Sequence, residues 1–275
     1  MNVSDPITED PAPDREYPAS LLPVTFESGG EQLLGVIFQA QGEGPHPVIV
    51  LLHGFPGFER NFDLAHIFRR AGWNVLVFHY RGAWGSPGTF SFTHVLQDVD
   101  SALFFVRSEN AFKLYCSNPK KIVLIGHSMG GFAALMTATK DPSIHAAASI
   151  AGVNMGQFSK TIETLKNREI TLTALEKSIL PLQGTSPEKL VCELSLNAES
   201  WDLLNYTKEL SMIPLLLIGA NRDETAPIDL HHWPLVRALG AEHADFTHAV
   251  LDADHVFLEK RIALARTLLS WLESL

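Results

Sequence analysis

Residues 122–131 read IVLIGHSMGG. Gly126, Ser128 and Gly130 fit the pattern G-x-S-x-G, with an apolar run before it and an Ala-rich, helix-favouring run after it. Glycine after a strand is ordinary turn chemistry. Between a strand and a helix, though, the pattern has a mechanical meaning: the central residue is held in a strained backbone conformation that costs about 1–3 kcal/mol. Small residues two positions to either side let strand and helix pass closely. The first amides of the following helix then point at whatever reacts there. A serine hydroxyl is a poor nucleophile at neutral pH. It needs an imidazole within hydrogen-bond reach, and a carboxylate on the far ring nitrogen to fix the tautomer and steady the imidazolium. The chemistry this points to is acyl transfer through a covalent serine intermediate.

Such a serine is useful only if other elements position it. Eight stretches read as strands: PVTFES and LLGVIFQA joined by the turn GGE, PVIVLLHG (47–54), WNVLVFHY (73–80), KKIVLIGHS, HAAASIAG (145–152), IPLLLIGAN (213–221) and ADFTHAVLD (244–252). Most are nearly continuous apolar runs, as expected for strands covered on both faces. Helical periodicity appears at 61–71, through Leu64, Ile67, Phe68 and Ala71, and again at 93–108, in MGGFAALMTATK and in RIALARTLLSWLESL. Alternation of this kind predicts an α/β fold: a mostly parallel eight-stranded sheet with helices on both faces. Residues 153–212 break the rhythm, with helical fragments at 161–165, 174–179 and 201–204 and the turn LQGTSPE between them. They are expected to form a helical cap insertion. Residues 21–152 and 213–275 then make the core, and the acidic, Pro-rich residues 1–20 a flexible arm.

With its serine elbow between strand and helix, the chain resembles the α/β-hydrolase family over most of residues 24–275. In that family the acid and the histidine follow the serine, each after a later strand. LLLIGANRDETAP presents Asp223 and AVLDADHVF presents His255 at such places. The resemblance thus implies a triad of Ser128, Asp223 and His255. Asp252 and Asp254 stand as alternative acids, and Asp223 is also readable as the cap of a helix starting near Thr225. Oxyanion donors are expected at the amide of Met129, directly after the nucleophile, and at that of Phe55, after His53-Gly54. His53 is then structural.

HGFPGF is not the HGGG of many lipases. With HYRGAWGSPGTFSF (79–92), it is similar to the short-loop esterases of feruloyl type and to the prolyl-oligopeptidase-related catalytic domain. Arg81 is expected to anchor its loop. Met155, Phe158, Leu165, Ile179, Leu180, Trp201 and Leu204 are expected to pack the cap onto the body. The function implied is hydrolysis of carboxylic esters of small molecules. An aminopeptidase or amidase of small peptides, an acyltransferase, and a non-catalytic binding protein of this fold stand as alternatives.

Composition bounds these readings. The chain has 275 residues, 46% of them hydrophobic and 19% charged, with a formal net charge of −10. That is enough to bury a full core, and it offers no basic footprint for nucleic acid or an anionic membrane. The N-terminus lacks a basic region followed by an apolar one, and no run approaches the roughly 18 apolar residues of a membrane span. Cys116 and Cys192 are read as unpaired thiols of a cytoplasmic protein. His231–His232 and the Asp63/His66 pair have metal-ligand types but no third ligand at a usable spacing, so no metal is expected. HGFPGF lacks the G-x-G-x-x-G spacing, which argues against a nicotinamide cofactor. Self-association into a homo-oligomer is compatible with all of this.

Overall fold

The structure, a computed structural model, describes residues 5–240 and 245–275. Residues 1–4 of the arm and position 244, where the last expected strand begins, lie outside the described residues. The strands are β1 (Ser20–Ser28), β2 (Glu31–Gln39), β3 (His46–Leu52), β4 (Asn74–Phe78), β5 (Ser117–His127), β6 (Ala146–Ile150), β7 (Leu215–Ala220) and β8 (Phe246–Leu251). They form one sheet in the order β1-β2-β4-β3-β5-β6-β7-β8. Strand β2 runs antiparallel to both of its neighbours, and every other pair is parallel. The mostly parallel eight-stranded sheet expected from the sequence is therefore present.

The helices of the first half are α1 (Phe62–Arg70), α2 (Phe92–Val106), α3 (Glu109–Tyr115) and α4 (Met129–Ala138). Between β6 and β7 lie α5 (Met155–Thr161), α6 (Leu165–Ser178), α7 (Pro187–Leu196), a 3₁₀ turn at Leu203–Tyr206, and α8 (Thr207–Leu210). After β7 come α9 (Ile228–His231) and α10 (Trp233–Gly240), and α11 (Arg261–Glu273) closes the chain.

Strand alternation divides the apolar residues between the two faces of the sheet. Val48, Val50, Leu52, Leu124, Leu215 and Leu217 join one buried cluster with residues of α2 and α4. Ile49, Leu51, Val123, Ile125, Leu216 and Ile218 join another with residues of α1 and α11. Covering on both faces is the reason these strands read as unbroken apolar runs. Because β3, β5, β6, β7 and β8 are parallel neighbours, their C-terminal ends lie along one edge, where ligands gather in sheets of this kind.

Several local boundaries differ from the sequence reading. LQGTSPE holds a helix start rather than only a turn: the Ser186 side chain accepts from the Lys189 amide, and Pro187 is the first residue of α7. Pro suits that position because its missing N–H has no helical partner to lose. Residues 161–165 hold the break between α5 and α6, with the Thr164 side chain accepting from the Asn167 amide. Of the apolar residues expected to pack this segment down, Met155 and Trp201 are buried. Phe158, Ile179 and Leu204 are half-buried against the core, whereas Leu165, at the start of α6, and Leu180, just after its end, are 87% and 86% exposed.

Residues 5–19 run along the body. The Pro6 carbonyl accepts from Arg70 at 2.6 Å, and Arg266 pairs with Asp5 at 3.2 Å. Cys116 and Cys192 are free thiols. No helix among the described residues is long and apolar enough to cross a membrane.

Candidate active site

Strand β5 ends at His127 and α4 begins at Met129, leaving Ser128 alone at the turn with φ 56 and ψ −119. For a residue with a Cβ this is a strained conformation, and it persists only where the surroundings over-determine it. They do so here. The Ser128 amide donates to the Ile150 carbonyl at 2.9 Å, and its carbonyl accepts from Phe132 at 3.2 Å and Val153 at 3.3 Å. A Cβ on Gly126 would run into the Gly130 carbonyl, and one on Gly130 into the Leu52 carbonyl. The two glycines of the motif are what allow α4 to lie against β3 and β5.

Asp223 follows β7 and His255 follows β8 along the same sheet edge. The structure brings them together: His255 Nδ1 lies 2.7 Å from Asp223 Oδ2. The other carboxylate oxygen accepts the amides of Thr225 at 2.8 Å and Ala226 at 2.7 Å. The Asp223 side chain is fully buried, and that of His255 is 17% exposed. Burial works against the charge on Asp223, but the hydrogen bonds from His255, Ala226 and Thr225 outweigh it and hold the carboxyl below its usual value. An ionised Asp223 fixes the His255 proton on Nδ1 and leaves Nε2 free to accept one. The alternative acids are occupied elsewhere. Asp252 pairs with Arg222 at 3.1 Å, and Asp254 accepts the Leu258 amide at 2.8 Å.

His127 ties this pair to the elbow. Its Nε2 lies 2.8 Å from the His255 carbonyl, and the two rings stand 4.8 Å apart. Burial pushes His127 down to about 3, so it stays neutral and donates from Nε2. Sequence reasoning passed over this residue. Its position directly before Ser128 was visible, but the carbonyl it meets is 128 residues away. His231 is a second buried neighbour, pushed down to about 4 by burial, and its Nδ1 accepts from the Asn154 amide at 3.2 Å.

Among the described residues, the amides of Met129 and Phe55 have no hydrogen-bond acceptor in the protein. Both residues line the same cavity as Ser128. The loop carrying Phe55 is firmly held. His53 Nδ1 lies 2.8 Å from the Gly54 carbonyl, and Tyr80 donates to the His53 carbonyl at 3.2 Å. Trp84 donates to the Pro56 carbonyl at 2.7 Å. Burial pushes His53 down to about 3. Arg81 is likewise interior: its Nε meets Asp98 at 2.6 Å, and its amide donates to the same carboxylate at 2.7 Å.

The cavity beside Ser128 has a volume of about 140 Å³. Phe55 and Met129 line it together with Phe92, Val153, Met155, Phe158, Leu175 and Leu194, and only Ser128 and Thr225 add polar side chains. Met155 and Phe158 therefore face this cavity, although the sequence suggests packing of the insertion as their main task. Phe92, Leu175 and Leu194 carried no sequence signal that separates them from core residues. An apolar cavity beside a serine, a buried Asp–His pair and two free amides is suited to holding an acyl group while a carbonyl is attacked.

Comparison with known proteins gives a consistent picture. The family model described as the alpha/beta hydrolase family matches residues 49–267. The quorum-quenching protein AidA of Acinetobacter baumannii is 28% identical over 180 residues, covering 62% of this chain and 57% of that protein. The chain spans about half the length of the curated relatives it matches at that identity. An esterase of Pyrococcus furiosus superposes with a TM-score of 0.67 at 17% identity, covering 97% of this chain and 96% of the other. The acylaminoacyl peptidase of Pyrococcus horikoshii gives 0.67 at 18% identity, covering 93% of this chain and 41% of that one. At these identities the likeness to the solved structures is one of fold.

Proposed function

The chain belongs to the alpha/beta hydrolase family, and we propose that it is a serine hydrolase cleaving carboxylic esters of small molecules through an acyl-enzyme. One observation carries the reading. A strained Ser128 and a hydrogen-bonded Asp223–His255 pair share one sheet edge, tied by the 2.8 Å contact of His127 with the His255 carbonyl, beside an apolar cavity.

In this reading Ser128 Oγ attacks the ester carbonyl carbon while His255 Nε2 takes its proton. Asp223 orients the imidazole and stabilises the imidazolium. The carbonyl oxygen becomes an oxyanion, received by the amides of Met129 and Phe55, a kind of donor whose individual loss costs about 10²–10³ in kcat. Collapse of this intermediate breaks the bond to the alcohol, which leaves with the proton from His255. Water then enters with His255 as base, and hydrolysis of the acyl-enzyme restores Ser128.

The test is hydrolysis of p-nitrophenyl butyrate by the wild type and by Ser128→Ala. Turnover by the wild type and a loss of about 10⁴-fold or more in the variant are expected. Equal rates in the two proteins would contradict the assignment.

A further inference from the structure

The cavity beside Ser128 is walled by two separate parts of the chain. Phe92 is the first residue of α2, which packs on the sheet, and Leu194 belongs to α7, between β6 and β7. The residue before Leu194 links them. Glu193 Oε2 accepts the Phe92 amide at 2.9 Å, and Oε1 accepts the Thr93 amide at 2.7 Å. These are two of the amides that a helix leaves without intrahelical partners. The next one, on His94, goes to the Ser91 side chain at 3.0 Å. The start of α2 is thus capped jointly by its own Ser91 and by a carboxylate from α7, a charge that also suits the positive end of the helix. One residue on, Ser159 donates to the Leu194 carbonyl at 3.0 Å and ties α5 to α7. The Glu193 clasp therefore joins the backbones that carry two of the cavity's lining residues, Phe92 and Leu194.

Resting on the esterase reading of this site, we propose that Glu193 is a positioning residue that determines acyl-group specificity. By fixing the start of α2 against α7, and with them Phe92 and Leu194, it limits the acyl group to one of about the size of a single aromatic ring or a comparable aliphatic chain, without charge. The size follows from the cavity volume of about 140 Å³, since a closed apolar cavity of about 150 Å³ holds one benzene. The lack of charge follows from the lining: Ser128 and Thr225 are its polar side chains, no charged side chain lines it, and an ionised acyl group buried there would find no counter-charge.

The test is a series of p-nitrophenyl esters (acetate, butyrate, hexanoate, decanoate and phenylacetate) with the wild type, Glu193→Ala and Glu193→Gln. Active sites are counted by fluorophosphonate labelling. In the wild type, kcat/KM should rise about fourfold per added methylene while the cavity fills, peak near hexanoate and phenylacetate, and fall about tenfold or more at decanoate. In Glu193→Ala the hexanoate-to-acetate ratio should fall about tenfold, with the loss in KM for hexanoate rather than in kcat, and the decanoate penalty should shrink. Glu193→Gln keeps one acceptor oxygen and should lie between the two. Two results overturn the proposal. One is a wild type that works best on acetate or on decanoate. The other is a pair of Glu193 variants that label fully and keep the wild-type profile. Ser128→Ala separates the two readings: if it abolishes acetate hydrolysis, the esterase assignment stands whichever way the Glu193 series falls.

Discussion

At the scale of single residues, Asp223 is the group whose removal tests the proposed mechanism without touching the nucleophile. One of its oxygens holds His255 and the other holds two backbone amides. Asp223→Asn keeps the volume and one acceptor, but it offers His255 an amide that no longer selects the Nδ1–H tautomer. The expected result is a folded protein with kcat lowered by about 10⁴, measured by initial rates on a p-nitrophenyl ester. A decrease of only a few fold would mean that Asp223 is not the acid of the triad. Asp223 also adds an acid limit to stability. Its folded pKa lies below the ordinary aspartate value of 3.8, so its contribution is fully present above that value. It is lost as the pH falls through the lower, folded value.

At the scale of elements, the elbow depends on the close approach of α4 to β3. A Cβ on Gly130 would meet the Leu52 carbonyl, and backbone cannot swing aside as a side chain can. Gly130→Ala should cost about 1–3 kcal/mol in urea unfolding, as overpacking does elsewhere, and should lower kcat by shifting Ser128 and the Met129 amide. Unchanged stability and activity would mean that the helix has room the structure does not show.

This junction was legible in the sequence because its cause is local: β5, Ser128 and α4 are consecutive, and the glycine spacing states the geometry directly. The places of Asp223 and His255 at strand ends were legible for the same reason, since each follows an apolar run. The segment between β6 and β7 was less so. Most of its helices are short, α6 only half-buries its inward face through Leu172 and Leu175, and the roles of Leu194 and Glu193 depend on α2, about 100 residues earlier in the chain. The start of α7 was written in Ser186-Pro187, but the glycine and polar residues before it read more strongly as a turn. The His127 contact with the His255 carbonyl is likewise tertiary, and no periodicity encodes it.

At the scale of the whole molecule, burial of histidine sets the response to acid. Burial pushes His53 and His127 down to about 3, and His231 and His232 down to about 4. In the unfolded chain each titrates near 6.5. Between these values the unfolded state binds more protons than the native one, so stability falls as the pH drops below 6.5 and keeps falling until the native values are reached. Each fully protonating histidine contributes a slope of about 1.4 kcal/mol per pH unit. Urea denaturation should show a midpoint that decreases steadily from pH 6.5 to pH 4.5. A midpoint constant over that range would contradict the neutral, buried state of these four rings.

The most direct measurement of the central claim is covalent capture of the nucleophile. The folded chain is incubated with a fluorophosphonate, and the adduct is located by peptide mass spectrometry while esterase activity is followed in the same sample. The expected result is one adduct per chain, on Ser128, with activity lost in proportion to labelling and no adduct on Ser128→Ala. A folded protein that takes no label, or one labelled at another residue while Ser128→Ala stays active, would contradict the assignment of Ser128 as the nucleophile.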